Sequence, residues 1–308
     1  MNKAESLGQE SLKRRSEMYG YYTERNYKGD FPYTDLATER RRADVRLEGV
    51  DYKCDDGIIG SWERIKITTK RGAESIGRPI GMYDTLNIGR MDLLDSESII
   101  DARDEVAREL CYIFDASDIF PERILVAGLG NPSLTPDAVG AEAAKIVKPT
   151  LHIREMNRRL FEDLNCAEIA VCSPGVAATS GLDAAVTIRG LCEALGPDAV
   201  IVIDALASRA VERLGTTVQI CNTGVAPGSG LGNPRQPISI DTVGVPVIAI
   251  GVPTIIDSRM FYYNPNGEKR PKPQTYPSMF VSPKEINEIV NAAALIIGGG
   301  INQAFGIF

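Results

Sequence analysis

Two aspartates carry the strongest chemical signal in this 308-residue chain. Asp137 follows the apolar run Ile124-Leu125-Val126-Ala127 by way of Gly128-Leu129-Gly130-Asn131-Pro132-Ser133-Leu134-Thr135-Pro136. Asp204 directly follows the run Ala199-Val200-Ile201-Val202-Ile203. Both runs read as buried parallel strands, and in an open α/β sheet the ligand crevice lies beyond the carboxyl ends of such strands. The two carboxyls are therefore expected at one crevice. Carboxylates that share a site do not both ionise easily, so one keeps a proton and the pair supplies an acid and a base. Thr135-Pro136-Asp137 reads as a helix start, with Thr135 as cap and Asp137 in the first turn. The helix dipole would favour the charged form of Asp137. Asp137 is accordingly the expected base and Asp204 the expected acid.

Other motifs were weighed beside this pair. Gly128-Leu129-Gly130 suggests a dinucleotide loop, but Ser133 stands where the third glycine belongs, and no acidic residue ends a second strand about 20 residues on. Its glycines are expected to permit a tight strand-to-loop turn. Pro227-Gly228-Ser229-Gly230-Leu231-Gly232-Asn233 follows a strand, and its consecutive N–H groups could cradle an oxyanion or a substrate backbone. The alternative for that loop is a turn that merely needs positive φ. His152 is the only histidine, so any Ser-His-Asp or Cys-His triad would have to use it. It is expected to be a strand or surface residue. A metal held by Asp137, Asp204 and His152 stays open as an alternative, since carboxylate-plus-histidine sets bind transition metals. No cofactor is expected.

The elements that must position these residues follow from periodicity. Strands are expected at 123–128, 168–172, 199–203, 217–221 and 245–250, with helices at 136–147, 181–195 and 205–213 between several of them. That alternation predicts an α/β fold with a mostly parallel sheet and helices on both faces. Residues 96–114 place Ile99, Ala102, Val106, Leu110 and Ile113 on one helical face. A small N-terminal β-rich portion is expected over 47–90. The last helix is expected to start at Ser282-Pro283-Lys284-Glu285, with Ser282 as cap and Glu285 as capping-box partner. Residues 1–33 form a charged tail with little apolar periodicity, and 34–308 a single domain.

Composition limits the function classes. The net charge of −7 speaks against a nucleic-acid footprint, which is usually basic. The six cysteines form no C-x-x-C pair and suit a reducing, cytoplasmic compartment. The polar N-terminus shows no apolar signal-peptide segment, and no run of about 18 uncharged apolar residues suggests a membrane span.

Several segments together resemble the germination protease (spore protease) family of spore-forming bacteria. They are 126–140 (VAGLGNPSLTPDAVG), 173–175 (SPG), 202–213 (VIDALASRAVER), 223–233 (TGVAPGSGLGN) and 243–257 (VGVPVIAIGVPTIID). Thr34-Asp35-Leu36-Ala37 resembles the family's segment at the start of the mature enzyme. The resemblance implies a fold like that of hydrogenase-maturation proteases. It implies an aspartic-type endopeptidase that degrades small acid-soluble spore proteins in the spore core. It further implies a self-processing zymogen, with 1–33 as pro-segment, and a homotetramer. The family's proposed catalytic pair maps onto Asp137 and Asp204. Within the matching motifs, Asn131, Thr135, Gly175, Arg209, Gly228, Ser229 and Gly230 are the expected site-lining or substrate-binding residues. Two alternatives stay open at this point: a metal-dependent maturation-type protease of the same fold, and a non-catalytic peptide- or dinucleotide-binding module.

Overall fold

The computed structural model of the chain describes residues 34–40, 47–231, 235–262 and 279–307. The tail 1–33, with any processing site in it, lies outside the described residues. Nine strands of the described chain join one sheet. They are β1 (Val50–Asp56), β2 (Ser61–Ile67), β3 (Gly81–Asn87), β4 (Arg123–Gly128), β5 (Glu168–Cys172), β6 (Ala199–Ser208), β7 (Thr217–Cys221), β8 (Val247–Asp257) and β9 (Phe280–Val281). Their order is β1-β2-β3-β7-β8-β6-β4-β5, with β9 added to β8. The expected parallel part is β8-β6-β4-β5. The N-terminal β-rich portion does not stand apart. It extends the same sheet through antiparallel pairs from β1 to β7.

Helices cover both faces. They are α1 (Lys70–Ile76), α2 (Ser96–Ala116), α3 (Val139–Ile146), α4 (Ala184–Leu195) and α5 (Ile286–Ala304). Strand residues alternate between the two sides, as the pleat requires. Ile124, Val126, Ala199, Ile201 and Ile203 join the core under α2, α3 and α5. Leu125, Ala127, Val200 and Val202 pack with Ile188 and Cys192 of α4 on the other face. Burial on both faces explains why β4 and β6 read as unbroken apolar runs. A third cluster packs α1 and Ala37 over Ile65, Ile67 and Tyr83. The α2 helix starts as its sequence suggests, with Asp95 accepting from the Ser98 N–H at 2.8 Å.

Three local expectations are overturned. No helix forms over 205–213: β6 continues to Ser208, followed by a 3₁₀ turn at Val211–Arg213. The ladder to β8 over 204–208 supplies backbone partners that outweigh local helix preference. β7 is not part of the parallel set, because a link of a few residues after β6 cannot form a parallel crossover. It runs antiparallel to both neighbours. The last helix starts at Ile286, not Ser282, and Glu285 makes no side-chain cap. Residues 284–285 form a turn ahead of the helix.

Candidate active site

A cavity of about 370 Å³ opens at the carboxyl ends of β4 and β6. Asp137 and Asp204 both line it, as do Gly175 and Gly228. Asp137 reaches it from the loop after β4. The loop closes in a 3₁₀ turn at Thr135–Asp137, and α3 begins at Val139. Thr135 does not cap a helix, and neither it nor Asn131 is part of the cavity lining. The Asn131 backbone N–H nevertheless donates to Asp137 Oδ2 at 2.8 Å. The Thr254 hydroxyl of β8 donates to the Pro136 carbonyl at 2.7 Å, which ties the turn to the sheet.

The glycines of the motif serve close packing. Gly130 has φ of +94°, and a Cβ there would lie 1.9 Å from the Asp137 carbonyl oxygen. A Cβ on Gly140 of α3 would lie 2.2 Å from the Ile203 carbonyl oxygen. Backbone thus meets backbone where α3 crosses β4 and β6. No dinucleotide is needed to explain these residues.

Asp204 does not end its strand, contrary to the sequence reading. It lies within β6, paired opposite Gly251, and is 7% exposed. Its Oδ1 accepts the Ala205 N–H at 3.0 Å. Burial drives its pKa well above the ordinary carboxyl value, and the charges of Asp137 and Asp35 push it further up. Burial also raises Asp137, opposed by the Asn131 N–H. The expected lowering of Asp137 by a helix dipole is therefore overturned, since desolvation dominates. Burial and two like charges oppose ionisation at Asp204, whereas at Asp137 the Asn131 N–H works against burial.

Sequence reasoning missed Asp35 as a cavity residue. Its N–H donates to the Ala207 carbonyl at 2.9 Å, and its Oδ2 accepts the Ala207 N–H at 2.9 Å. The Ser229 hydroxyl donates to its Oδ1 at 2.6 Å. Gly230 packs against Asp35 and Ala207, where a Cβ would lie 2.2 Å from Asp35 Oδ2. Ser229 and Gly230 thus position Asp35 and do not line the cavity themselves. Arg209 also lies elsewhere. Its N–H donates to Glu39 Oε2 at 2.7 Å and its guanidinium to the Glu39 carbonyl at 2.8 Å. Asp183, which caps α4 through the Ala185 N–H at 3.1 Å, and Arg235 complete the charged lining. Only the Thr34-Asp35-Leu36-Ala37 motif hinted at Asp35. Asp183 precedes an apolar helical stretch and could have been found as its cap.

His152 is exposed on the short helix Leu151–Met156, outside the cavity lining. Asp137, Asp204 and His152 are not brought together. Among the described residues, no three His, Cys, Asp or Glu side chains are grouped to hold a metal ion. Gly232 and Asn233 of the second Gly-rich loop lie outside the described residues. No helix of the described residues is long and apolar enough to cross a membrane.

The fold and the crevice define an α/β protein with paired carboxyls at its strand ends, and comparison with known proteins gives that class a name. The family model described as "Germination protease" matches residues 34–262. The germination protease of Caldanaerobacter subterraneus is 35% identical, over 88% of this chain and 93% of its own length. That of Bacillus subtilis is 40% identical, over 73% of this chain and 63% of its own length. A solved nickel–iron hydrogenase maturation protease from Thermococcus kodakarensis is 19% identical. It matches 61% of this chain and 99% of its own, at a TM-score of 0.34, a likeness too distant to carry an argument. The chain belongs to the germination protease family. It is a spore-germination peptidase that acts on protein substrates.

Proposed function

We propose that the chain is an aspartic-type endopeptidase that cleaves small acid-soluble spore proteins, with Asp137 and Asp204 as its catalytic pair. The observation that carries this reading is one cavity at the ends of β4 and β6, lined by both carboxyls. Their unequal environments separate the roles. Asp137, the ionised member, takes a proton from a water molecule that attacks the scissile carbonyl carbon. Asp204, the protonated member, donates a hydrogen bond to the carbonyl oxygen and passes its proton as the tetrahedral intermediate forms. Collapse of the intermediate returns protons through the same pair and releases the amine. The pair titrates as a unit, and its two macroscopic pKa values bound the active range.

In this reading the tail 1–33 is a pro-segment that the enzyme removes itself, a few residues upstream of Thr34. Its support is the family resemblance and the place of Asp35, near the start of the described residues, in the cavity lining. A tethered segment competes at high effective concentration. The proposal also includes a homotetramer working in the spore cytoplasm, without direct nucleic-acid contact. The test is incubation with a small acid-soluble spore protein and mass mapping of the fragments, beside N-terminal sequencing of aged enzyme. Discrete fragments from wild type, and none from Asp204→Asn, are expected. An enzyme fully active with an intact Met1 terminus refutes the pro-segment role.

A further inference from the structure

The β4 side of β6 is covered only in part. β4 leaves the ladder at Gly128, opposite Ile203, whereas β6 runs on along β8 to Ser208. Residues 204–208 thus keep an edge toward the crevice that no strand of the described residues covers. Backbone groups reach a given edge at every second residue. The Ile203 carbonyl accepts the Leu129 N–H at 2.8 Å, and the Ala207 carbonyl accepts the Asp35 N–H at 2.9 Å. Ala205 lies between them on the same edge and lines the cavity. Its N–H is held by the Asp204 carboxyl at 3.0 Å. No loop or cap bond reaches its carbonyl, and alternation along β6 turns that carbonyl away from β8.

An uncovered strand edge recruits extended peptide, because each bond formed satisfies a backbone group that water would otherwise occupy. Here the edge already has such an occupant one position along. Asp35 gives its backbone N–H to Ala207 as a neighbouring strand residue would. We propose that the protein substrate lies extended across the gap that Leu129 and Asp35 leave at Ala205 on the β6 edge, with one backbone N–H donating to the Ala205 carbonyl. That bond seats the scissile peptide beside Asp204, one residue away on the same strand. The proposal rests on the Asp137–Asp204 reading and adds the binding mode to it. Backbone pairing supplies affinity that is independent of side chains, and the cavity walls select among them.

The test uses the full chain after its own maturation and a short synthetic peptide centred on the bond mapped in a small acid-soluble spore protein. Each backbone N–H outside the scissile bond is replaced in turn by an ester oxygen, which removes one donor and keeps the side chain. The ester at the residue facing Ala205 is expected to lower kcat/KM on the order of tenfold, mainly through KM. Esters at adjacent residues, whose amides face away from the edge, should change it by less than about twofold. A flat series, with cleavage still abolished by Asp204→Asn, overturns strand addition and leaves the catalytic pair standing. Cleavage that persists in Asp204→Asn overturns the catalytic reading itself.

Discussion

Gly140→Ala tests whether close contact between α3 and β6 sets the geometry of the catalytic pair. A Cβ at this position would lie 2.2 Å from the Ile203 carbonyl oxygen, 2.5 Å from the Leu129 carbonyl oxygen and 2.6 Å from the Leu129 nitrogen. Ordinary contact begins near 3.4 Å. All three obstacles are backbone, so no side chain can turn aside, and α3 must lift by roughly 1 Å. Asp137 sits just before α3 and moves with it, whereas Asp204 belongs to β6. Overpacking of this kind costs about 1–3 kcal/mol of stability. In a domain of this size that lowers Tm by roughly 2–5 °C. A displacement of about 1 Å between reacting groups costs on the order of a hundredfold in rate. The expected signature is a kcat loss that exceeds what the fall in Tm explains, measured well below Tm by cleavage of a small acid-soluble spore protein. A folded Gly140→Ala enzyme with wild-type kcat would show that α3 does not position Asp137, and the reasoning would be wrong.

The remaining predictions concern charge. Asp137→Asn and Asp204→Asn should each cut cleavage by several orders of magnitude while circular dichroism stays native, since a cooperating pair fails when either member is lost. The kcat/KM profile should fall on the acid side as Asp137 gains its proton, above the ordinary carboxyl range because burial raises it. It should fall on the alkaline side as Asp204 loses its proton, and Asp35→Asn should move that limb to lower pH by removing a charge that raises Asp204. An alkaline limb that stays put in Asp35→Asn would show that this charge does not act on the pair. Away from the crevice, burial pushes the Asp84 carboxyl up to about 8, aided by Glu109 and opposed by Arg64. Because its folded pKa lies above the unfolded 3.8, its contribution is fully present below that value. It is lost as pH rises to about 8, with a ceiling of about 6 kcal/mol. Thermal scans should therefore show wild-type Tm declining from pH 4 to 8 more steeply than that of Asp84→Asn, and parallel curves would refute the assignment.

Much of the parallel core was legible because β4 and β6 are buried on both faces, which forces continuous apolar sequence. The same logic ended β6 five residues too early. Asp204 looks like a strand exit, yet the ladder with β8 carries the strand through it to Ser208. Only a partner strand remote in sequence makes a polar continuation stable, and no local pattern reports it. β8 was also cut short. Pro253 offers no N–H, and the β6–β8 register shifts between Leu206 and Ala207, so its second half departs from a regular run. Asp137 was legible as a residue of the crevice but not in its electrostatics, because a helix start carries no record of how much water the fold removes. Asp35 was invisible as a site residue. Its partners, Ala207 and Ser229, lie far along the chain, and a short polar segment gives no sign that Leu36 and Ala37 beside it are fully buried.

In the proposed mechanism, the placement of Asp204 inside a strand, and not past its end, gives two identical side chains opposite roles. A charged carboxylate buried among apolar strand residues is costly to desolvate, and the neutral acid avoids most of that cost. Asp204 receives one backbone N–H, from Ala205, which favours its charged form, but burial and two like charges outweigh it. Asp137 is also desolvated, but it sits in a turn at the cavity wall and is not flanked by strand on both sides. The Asn131 N–H stabilises its charged form directly. The first proton to leave the pair therefore leaves Asp137. Its charge then raises Asp204 further, which widens the pH range over which one proton is shared. Asp35 acts in the same direction from the opposite wall, anchored to Ala207 on the strand that carries Asp204. The acid is thus made by strand burial and by two neighbouring charges, and the base by a loop amide. Moving the carboxyl of Asp204 even one residue along β6 would turn it to the other face of the sheet and end the pairing.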